Sequence, residues 1–179
     1  MRDRDEWMRR LGPLYPAMLA VRRTTIVRAP GLGAIADDLA RSAPWMVALG
    51  ALTGFVGYAG AWLAARWGAS PLLAAGLALA GILIAGGAVV ESEAARWAER
   101  RAGKSGAVVA ATTALVRFAA LAQVPAGRWL SALVMSELIA RWAALLLQRL
   151  GDPILDDADR PGFAVGEVSW GVVGAVSLG

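Results

Sequence analysis

The side chains of this chain that could bind a metal or take part in catalysis are mainly carboxylates. Glu91, Glu93 and Glu99 follow a long apolar stretch, and a second acidic segment holds Asp152, Asp156, Asp157 and Asp159. Carboxylates at short spacing can bind a divalent cation. The chain contains no histidine and no cysteine, so it lacks the commonest general base and a thiolate nucleophile. Catalysis would therefore depend on carboxylates, hydroxyls, lysine and arginine.

The neighbours of these carboxylates favour a surface role. Glu91 and Glu93 fall on different faces of a helix, and Glu99 lies beside Arg96 and Arg100. Glutamate with arginine three and four residues away is typical of a solvated helix surface, which is the position we predict for the group. Residues 152–159 are predicted to form a flexible polar loop. The alternative is an unusual magnesium site that would draw on Glu91, Glu93, Asp156 and Asp157.

A second group of charges interrupts the most apolar part of the chain. Arg117, Glu137 and Arg141 each fall near the middle of a segment long enough to cross a bilayer. A charge at that depth costs roughly 2.5 to 3.5 kcal/mol, so it should face the protein interior and find a partner. Glu137 can pair with Arg141 on its own helix or with Arg117 on the preceding one. An ion-pair lock is the first interpretation, and an anion or substrate pocket and a proton relay remain open.

The elements that position these charges are predicted from five apolar stretches. Mean hydropathy is +0.54 and only 18% of the residues are charged. Segments of about twenty apolar residues match the hydrocarbon thickness, and backbone groups in lipid must be satisfied within a helix. We therefore predict an all-α, polytopic integral membrane bundle of about five helices. The stretches are Trp45–Ala65, Pro71–Val90, Gly106–Pro125, Trp129–Leu147 and, shorter, Phe163–Leu178.

The basic residues predict the orientation of that bundle. Eight arginines precede Trp45, and the four following connections carry one, four, one and two basic residues. This alternation places the N-terminus in the cytoplasm and the C-terminus across the membrane, which we expect to be a bacterial-type cytoplasmic (inner) membrane. The net charge of +4 is then explained by topology and contact with lipid headgroups rather than by nucleic acid.

The chain divides by composition into residues 1–44 and 45–179. The first part is predicted to be a retained cytoplasmic arm with an interfacial helix over 14–26 and a short helix that ends at Pro44. The second part is the helical bundle. The interfacial tryptophans Trp45, Trp67, Trp129 and Trp170 are expected to anchor it at the membrane surface.

Short connections and glycines predict which helices touch. Residues 66–70 and 126–128 are tight turns, so the first two spans and the next two should form antiparallel hairpins. Gly50-x-x-x-Gly54, followed by Gly57, has the spacing that lets helix backbones approach closely. Packing within one bundle is the first interpretation of this face, and dimerisation is the alternative.

Several runs along the chain resemble one enzyme family. They cover most of the chain from about Ala17 onward and include the glycines of the first span. The remaining runs are Ala40-Arg41-Ser42-Ala43-Pro44-Trp45, Ala85-Gly86-Gly87, Arg117-Phe118-Ala119-Ala120-Leu121-Ala122, Ala140-Arg141-Trp142-Ala143-Ala144-Leu145-Leu146 and Val168-Ser169-Trp170. In this order and spacing they resemble adenosylcobinamide-GDP ribazoletransferase, the cobalamin (cobamide) synthase, which is a membrane enzyme.

The resemblance implies a reaction whose acidic site this sequence lacks. The family joins alpha-ribazole to adenosylcobinamide-GDP, releases GMP and uses magnesium bound by a His-x-Asp-Gly-x-x-Asp-x-x-Asp-Gly motif directly after the Gly-Gly pair. Residues 88–100 contain no histidine and no aspartate. We therefore expect a degenerate and shortened member without catalysis or cofactor, which serves as a structural or accessory subunit among other membrane proteins of a larger complex.

Two functional alternatives to the structural subunit remain. A magnesium-dependent cobamide synthase would use Glu91 and Glu93 as catalytic carboxylates in an atypical site. A small transporter would instead use Arg117, Glu137 and Arg141 along its pathway. An activity that requires Glu91 or Glu93 would indicate the synthase, and an activity that requires Glu137 would indicate the transporter.

Overall fold

The described residues of the chain are helical, with short turns between the helices. A computed structural model describes residues 2–25, 36–88, 91–92, 94–95, 98–99, 105–150, 171 and 174. The helices that can be bounded are α1 (Arg2–Leu11), α2 (Tyr15–Thr24), α3 (Ala36–Arg66), α4 (Pro71–Ala85), α5 (Gly106–Ala122) and α6 (Trp129–Leu150). Two 3₁₀ turns, Gly12–Leu14 and Ala126–Arg128, precede α2 and α6. The all-α prediction is confirmed for these residues, among which there is no strand.

The chain forms two compact units that share two helices. Unit 1 comprises Met1–Leu49 with Ile139–Gly179, and unit 2 comprises Gly50–Leu138. Both α3 and α6 contribute residues to each unit. The proposed division after residue 44 stays a prediction.

In unit 1, α1 and α2 form a helical hairpin. The turn between them starts at Gly12, whose φ of +50° is a left-handed value that glycine adopts without steric cost. Tyr15 and Leu19 of α2 are buried, and Trp7 and Met8 of α1 pack against them. The helix predicted over 14–26 is thus found at Tyr15–Thr24, with one face covered by α1.

The prediction that a short helix ends at Pro44 is wrong. Helix α3 runs without a break from Ala36 to Arg66, with Pro44 inside it. Proline removes one helical hydrogen bond and its ring crowds the preceding turn, which is why helices usually stop before it. Here Ala43, Met46 and Val47 are buried beside Pro44, and their packing offsets that loss.

Among the described residues, one helix is both long and apolar enough to cross a membrane. It is the Arg41–Arg66 part of α3, with 26 residues and a mean hydropathy of 1.5. Gly106–Ala122 and Ala126–Ala143 pass the same test only as a pair, and they meet at a bend of 114°. Helix α4, with 15 residues, is apolar but shorter. Apart from Gly171 and Gly174, the stretch at 163–178 lies outside the described residues.

In unit 2, α3 and α4 form the predicted antiparallel hairpin. Gly68, with φ +77°, follows the end of α3, and Ser70 caps α4 by accepting a hydrogen bond from the Leu73 N–H at 3.3 Å. Along the helices, Gly57 lies against Ile82 and Gly60 lies against Leu77, so the residue order is opposed. The pairing is as close as the glycine spacing predicts.

Helix α4 ends earlier than predicted, at Ala85 rather than Val90. The N–H of Ala88 donates to the Leu83 carbonyl at 2.9 Å, and the N–H of Gly87 donates to the Ile84 carbonyl at 3.3 Å. These two bonds, with Gly87 at φ +61°, define a Schellman motif, which satisfies the last carbonyls of a helix. The Gly-Gly pair of the sequence is therefore a helix stop.

Gly87→Ala is expected to lower the free energy of unfolding by about 1 kcal/mol, because a Cβ is strained at a left-handed φ. Ala88, at φ +50°, carries the same strain in the native chain. Ala88→Gly should therefore be neutral or slightly stabilising, and the pair can be compared by unfolding in detergent titrations. Equal losses in both variants would contradict the assignment of the strain to backbone conformation.

Small side chains dominate the buried core of unit 2. The core cluster consists of Ala61, Ala64, Ala74, Ala78, Ile82, Trp129 and Leu133. Trp129 was predicted to be an interfacial anchor, but it is 6% exposed and its indole N–H donates to the Val124 carbonyl at 2.6 Å. That anchor prediction is wrong because the turn before α6 folds the ring inward. Trp45 and Trp67 are exposed, and Trp170 lies outside the described residues.

Candidate functional site

One arginine in unit 2 holds two buried carboxylates. The Arg117 guanidinium on α5 donates to Glu91 Oε1 at 2.5 Å through Nη1 and to Glu137 Oε1 through Nη2. The side chains of Glu91 and Glu137 are 6% and 3% exposed, and that of Arg117 is 21% exposed. Burial removes most of the surrounding water from all three charged groups, so the ion pairs must offset the desolvation of three charges. We refer to these three residues as the Arg117 triad.

Three helical segments position the triad. The bend of 114° between α5 and α6 brings Glu137 back to Arg117 although twenty residues separate them. Glu91 comes from the helical residues 91–92, 94–95 and 98–99, which lie between α4 and α5. At the other end of that segment, Glu99 Oε1 accepts a hydrogen bond from the Gly106 N–H at 3.2 Å. The two contacts, 91 with 117 and 99 with 106, show that this segment lies antiparallel beside α5.

The predicted surface position of Glu91 is wrong. Glu91 is 5% exposed, whereas a solvated helix face was expected. The prediction relied on the spacing between Glu91 and nearby arginines, but the arginine that Glu91 contacts lies 26 residues away on α5. Glu99 is exposed, as predicted, and it also meets the first N–H of α5, where a carboxylate favours the positive end of a helix. Glu93 lies outside the described residues.

The pairing of Arg117 with Glu137, one of the two arrangements predicted, is present. Arg141 lies in unit 1, where it is 2% exposed and donates from Nη1 to the Met46 carbonyl at 3.3 Å. Arg141 thus ties α6 to α3 through a backbone acceptor. Sequence reasoning missed Glu91 as the third triad member, and the only available signal was that Arg117 needed compensation at that depth.

In the described part of unit 2 the triad has the arrangement of an ion-pair lock. Among the described residues there is no group of three or more histidine, cysteine, aspartate or glutamate side chains placed to hold a metal ion. The Arg117 guanidinium already occupies Glu91 Oε1, and a divalent cation bound at that oxygen would have to displace it. Asp156 and Asp157, the other candidate ligands, lie outside the described residues.

The glycines of α3 lie where helix backbones touch. A Cβ on Gly54 would be 2.6 Å from the Leu133 carbonyl oxygen and 2.7 Å from the Val134 Cα of α6. A Cβ on Gly57 would be 2.6 Å from Ile82 Cγ1 of α4. No side chain fits either gap, so α3 is packed against both neighbours in unit 2. Gly50 is buried, and its carbonyl accepts a hydrogen bond from the Thr53 hydroxyl at 2.9 Å.

Comparison of the chain with protein-family models, with curated proteins and with solved structures finds no match.

Proposed function

We propose that this chain is a non-catalytic integral membrane subunit, related to cobalamin synthase, which packs among the membrane proteins of a larger complex. The observation that carries the proposal is the Arg117 triad. A magnesium site needs carboxylates whose oxygens are available to the metal, but Glu91 faces a guanidinium and is buried against it. The carboxylate closest to the position of the family's acidic motif thus serves in packing.

The outer surface of unit 2 supports a membrane location. Many large apolar side chains are more than two-fifths exposed, an extent that water-soluble surfaces rarely tolerate in contiguous patches. On α3 these side chains, Leu52, Phe55, Trp62 and Leu63, lie toward one side of the helix, away from Gly54 and Gly57. The exposed side chains include Leu52, Phe55, Trp62, Leu63, Leu72, Leu73, Leu77, Ile84, Val108, Leu115, Val116, Leu130 and Met135.

We extend this proposal to more than one span. Of the helices that the structure describes, α3 alone is both long and apolar enough to cross, at about 39 Å for the 26 residues of Arg41–Arg66. The α5–α6 pair and the shorter α4 would lie in the same bilayer, because they pack on α3 or α4 through glycine and alanine contacts. The alternation of basic residues supports a cytoplasmic N-terminus and a C-terminus on the opposite face of a bacterial-type inner membrane.

The proposal is tested by extracting the protein from its native membrane in mild detergent and identifying the proteins that co-purify at fixed stoichiometry by mass spectrometry. We expect a large assembly of membrane proteins that contains this chain. Gly57→Leu should reduce that recovery because it separates α3 from α4, whereas Gly127→Ala, in open space, should not. Recovery of the wild-type chain alone, or together with enzymes that make cobamides, would contradict a subunit role.

A direct assay separates this proposal from an active synthase. Wild-type protein in liposomes is expected to release no GMP from adenosylcobinamide-GDP and alpha-ribazole when Mg²⁺ is added. Magnesium-dependent release that Glu91→Gln abolishes and Glu99→Gln spares would establish the synthase instead. Glu99 is the matched control because it is the exposed glutamate of the same helical segment. Glutamine at position 91 keeps an oxygen for Arg117, so the variant should remain folded.

A further inference from the structure

Among the described residues, two arginines stack on tryptophan rings, and one of the two is also paired with a carboxylate. In unit 2 the Arg66 guanidinium lies over the Trp62 ring at 5.5 Å, and in unit 1 the Arg10 guanidinium lies over the Trp7 ring at 5.9 Å. Arg10 is also paired with Glu6, at 2.5 Å. Among the described residues no carboxylate pairs with Arg66. Its charge is exposed at the end of α3 while its ring contact holds it in place.

A second unpaired arginine lies at the same end of unit 2. Ala64, near the end of α3, and Trp129, at the start of α6, belong to one buried cluster, and the turns that follow α3 and precede α6 both border it through Ala69 and Val124. Arg66 is the last residue of α3, directly before the first of these turns, and Arg128 is in the second. Neither arginine has a carboxylate partner in the part of the chain that the structure describes. We call Trp62, Arg66, Trp67 and Arg128 the basic end of unit 2.

The sequence around the basic end also contains no acidic residue. No aspartate or glutamate occurs in residues 39–90 or 100–136, which include both turns. The end therefore carries two positive charges with no opposing charge from its own segments. Trp62 and Trp67 are 49% and 77% exposed beside them. Exposed tryptophan next to arginine is the combination found at the headgroup level of a bilayer.

We propose that the basic end of unit 2 binds the headgroup phosphate of an anionic phospholipid. The guanidinium of Arg66 has a planar set of donors that suits a phosphate, and the Trp62 ring fixes its orientation. Trp62 and Trp67 lie at the boundary between the headgroups and the acyl chains. The exposed stripe of Leu52, Phe55 and Leu63 on α3 continues from this end and lies along the acyl chains. This inference rests on the proposed membrane location.

The test uses purified full-length protein in a neutral detergent. Phosphatidylglycerol is titrated in, and the bound lipid is counted by native mass spectrometry, with phosphatidylcholine and inorganic phosphate as the other probes. Because a basic residue near the headgroups contributes about fivefold in affinity, Arg66→Gln with Arg128→Gln should weaken phosphatidylglycerol binding by about 25-fold. Arg66→Lys with Arg128→Lys should lose less than the glutamine pair, because lysine keeps the charge, but more than nothing, because it lacks the planar donors and the ring stack. Arg10→Gln, in the stack that has its own glutamate, is the matched control and should change nothing.

The outcomes distinguish the two proposals. Unchanged phosphatidylglycerol binding in the glutamine double variant, or an equal loss in Arg10→Gln, would overturn the lipid site. Retention of the wild type in the membrane, with its co-purifying proteins, would still uphold the proposed function. Full competition by inorganic phosphate would also overturn it, since the site would then bind a free anion. Release of the wild-type chain from native membranes by alkaline carbonate would overturn both.

Discussion

Arg117→Met should destabilise the protein by about 3 kcal/mol, at the low end of the cost of breaking a buried ion pair because Arg117 keeps one-fifth of its side-chain surface exposed. Methionine fills most of the same volume, but it leaves the carboxylates of Glu91 and Glu137 buried without the cation that both contact. The loss is measured as a change in the free energy of unfolding in mixed detergent micelles.

A second-site rescue separates charge from packing in this prediction. Glu91→Gln and Glu137→Gln, added to Arg117→Met, remove the uncompensated charges and should restore much of the stability, because a neutral buried group costs less than a buried ion. Arg66→Met is the matched control, since Arg66 is exposed in the same unit and its replacement should change stability by less than about 0.5 kcal/mol. Failure of the glutamines to restore stability would show that Arg117 acts through its bulk.

Gly54→Ala should also destabilise unit 2, by about 1 to 3 kcal/mol, because a single methyl group must push two helices apart. The nearest atoms to the added Cβ are backbone atoms of Leu133 and Val134, which cannot rotate away as a side chain would. Gly54→Leu extends the same clash and should prevent α3 from packing on α6. Thermal unfolding of the purified protein in detergent measures both variants.

Gly76→Ala is the control for that effect. Gly76 lies inside α4, and an added Cβ would meet only Phe118 Cε2, at an ordinary contact distance of 3.7 Å. Alanine is the better helix former by about 1 kcal/mol, so this substitution should leave stability unchanged or raise it. If both substitutions lowered stability equally, the close approach at Gly54 would have no special importance.

The helices were predictable from sequence because apolar length and glycine spacing are local properties. The turn at 126–128 and the α3–α4 hairpin follow from composition alone. The end of α4 was predicted five residues too late, since the apolar run continues through Ala88 and Val90 while the Schellman motif at Gly87 stops the helix. Pro44 was given too much weight, because helix propensity gives way to tertiary packing of the neighbouring apolar residues.

The candidate site was only partly predictable. Two of the three triad members, Arg117 and Glu137, were identified because charges in an apolar stretch require partners. Glu91 was predicted to lie at the surface because nearby arginines gave it the pattern of a solvated helix. Its actual contact is with a residue 26 positions away, which local spacing cannot predict. Trp129 was misplaced for a similar reason, since its hydrogen bond to the Val124 carbonyl depends on the path of the turn.

The early end of α4 has a further consequence for the surrounding lipid. Fifteen helical residues span about 22 Å, which is roughly 8 Å less than the hydrocarbon layer of an ordinary bilayer. Hydrophobic mismatch of this size is accommodated by local thinning of the membrane or by taller neighbouring helices that shield the short one. Leu72, Leu73 and Ile84, near the two ends of α4, are exposed. A membrane-embedded α4 would therefore favour a thin bilayer or a partner helix that covers these two ends.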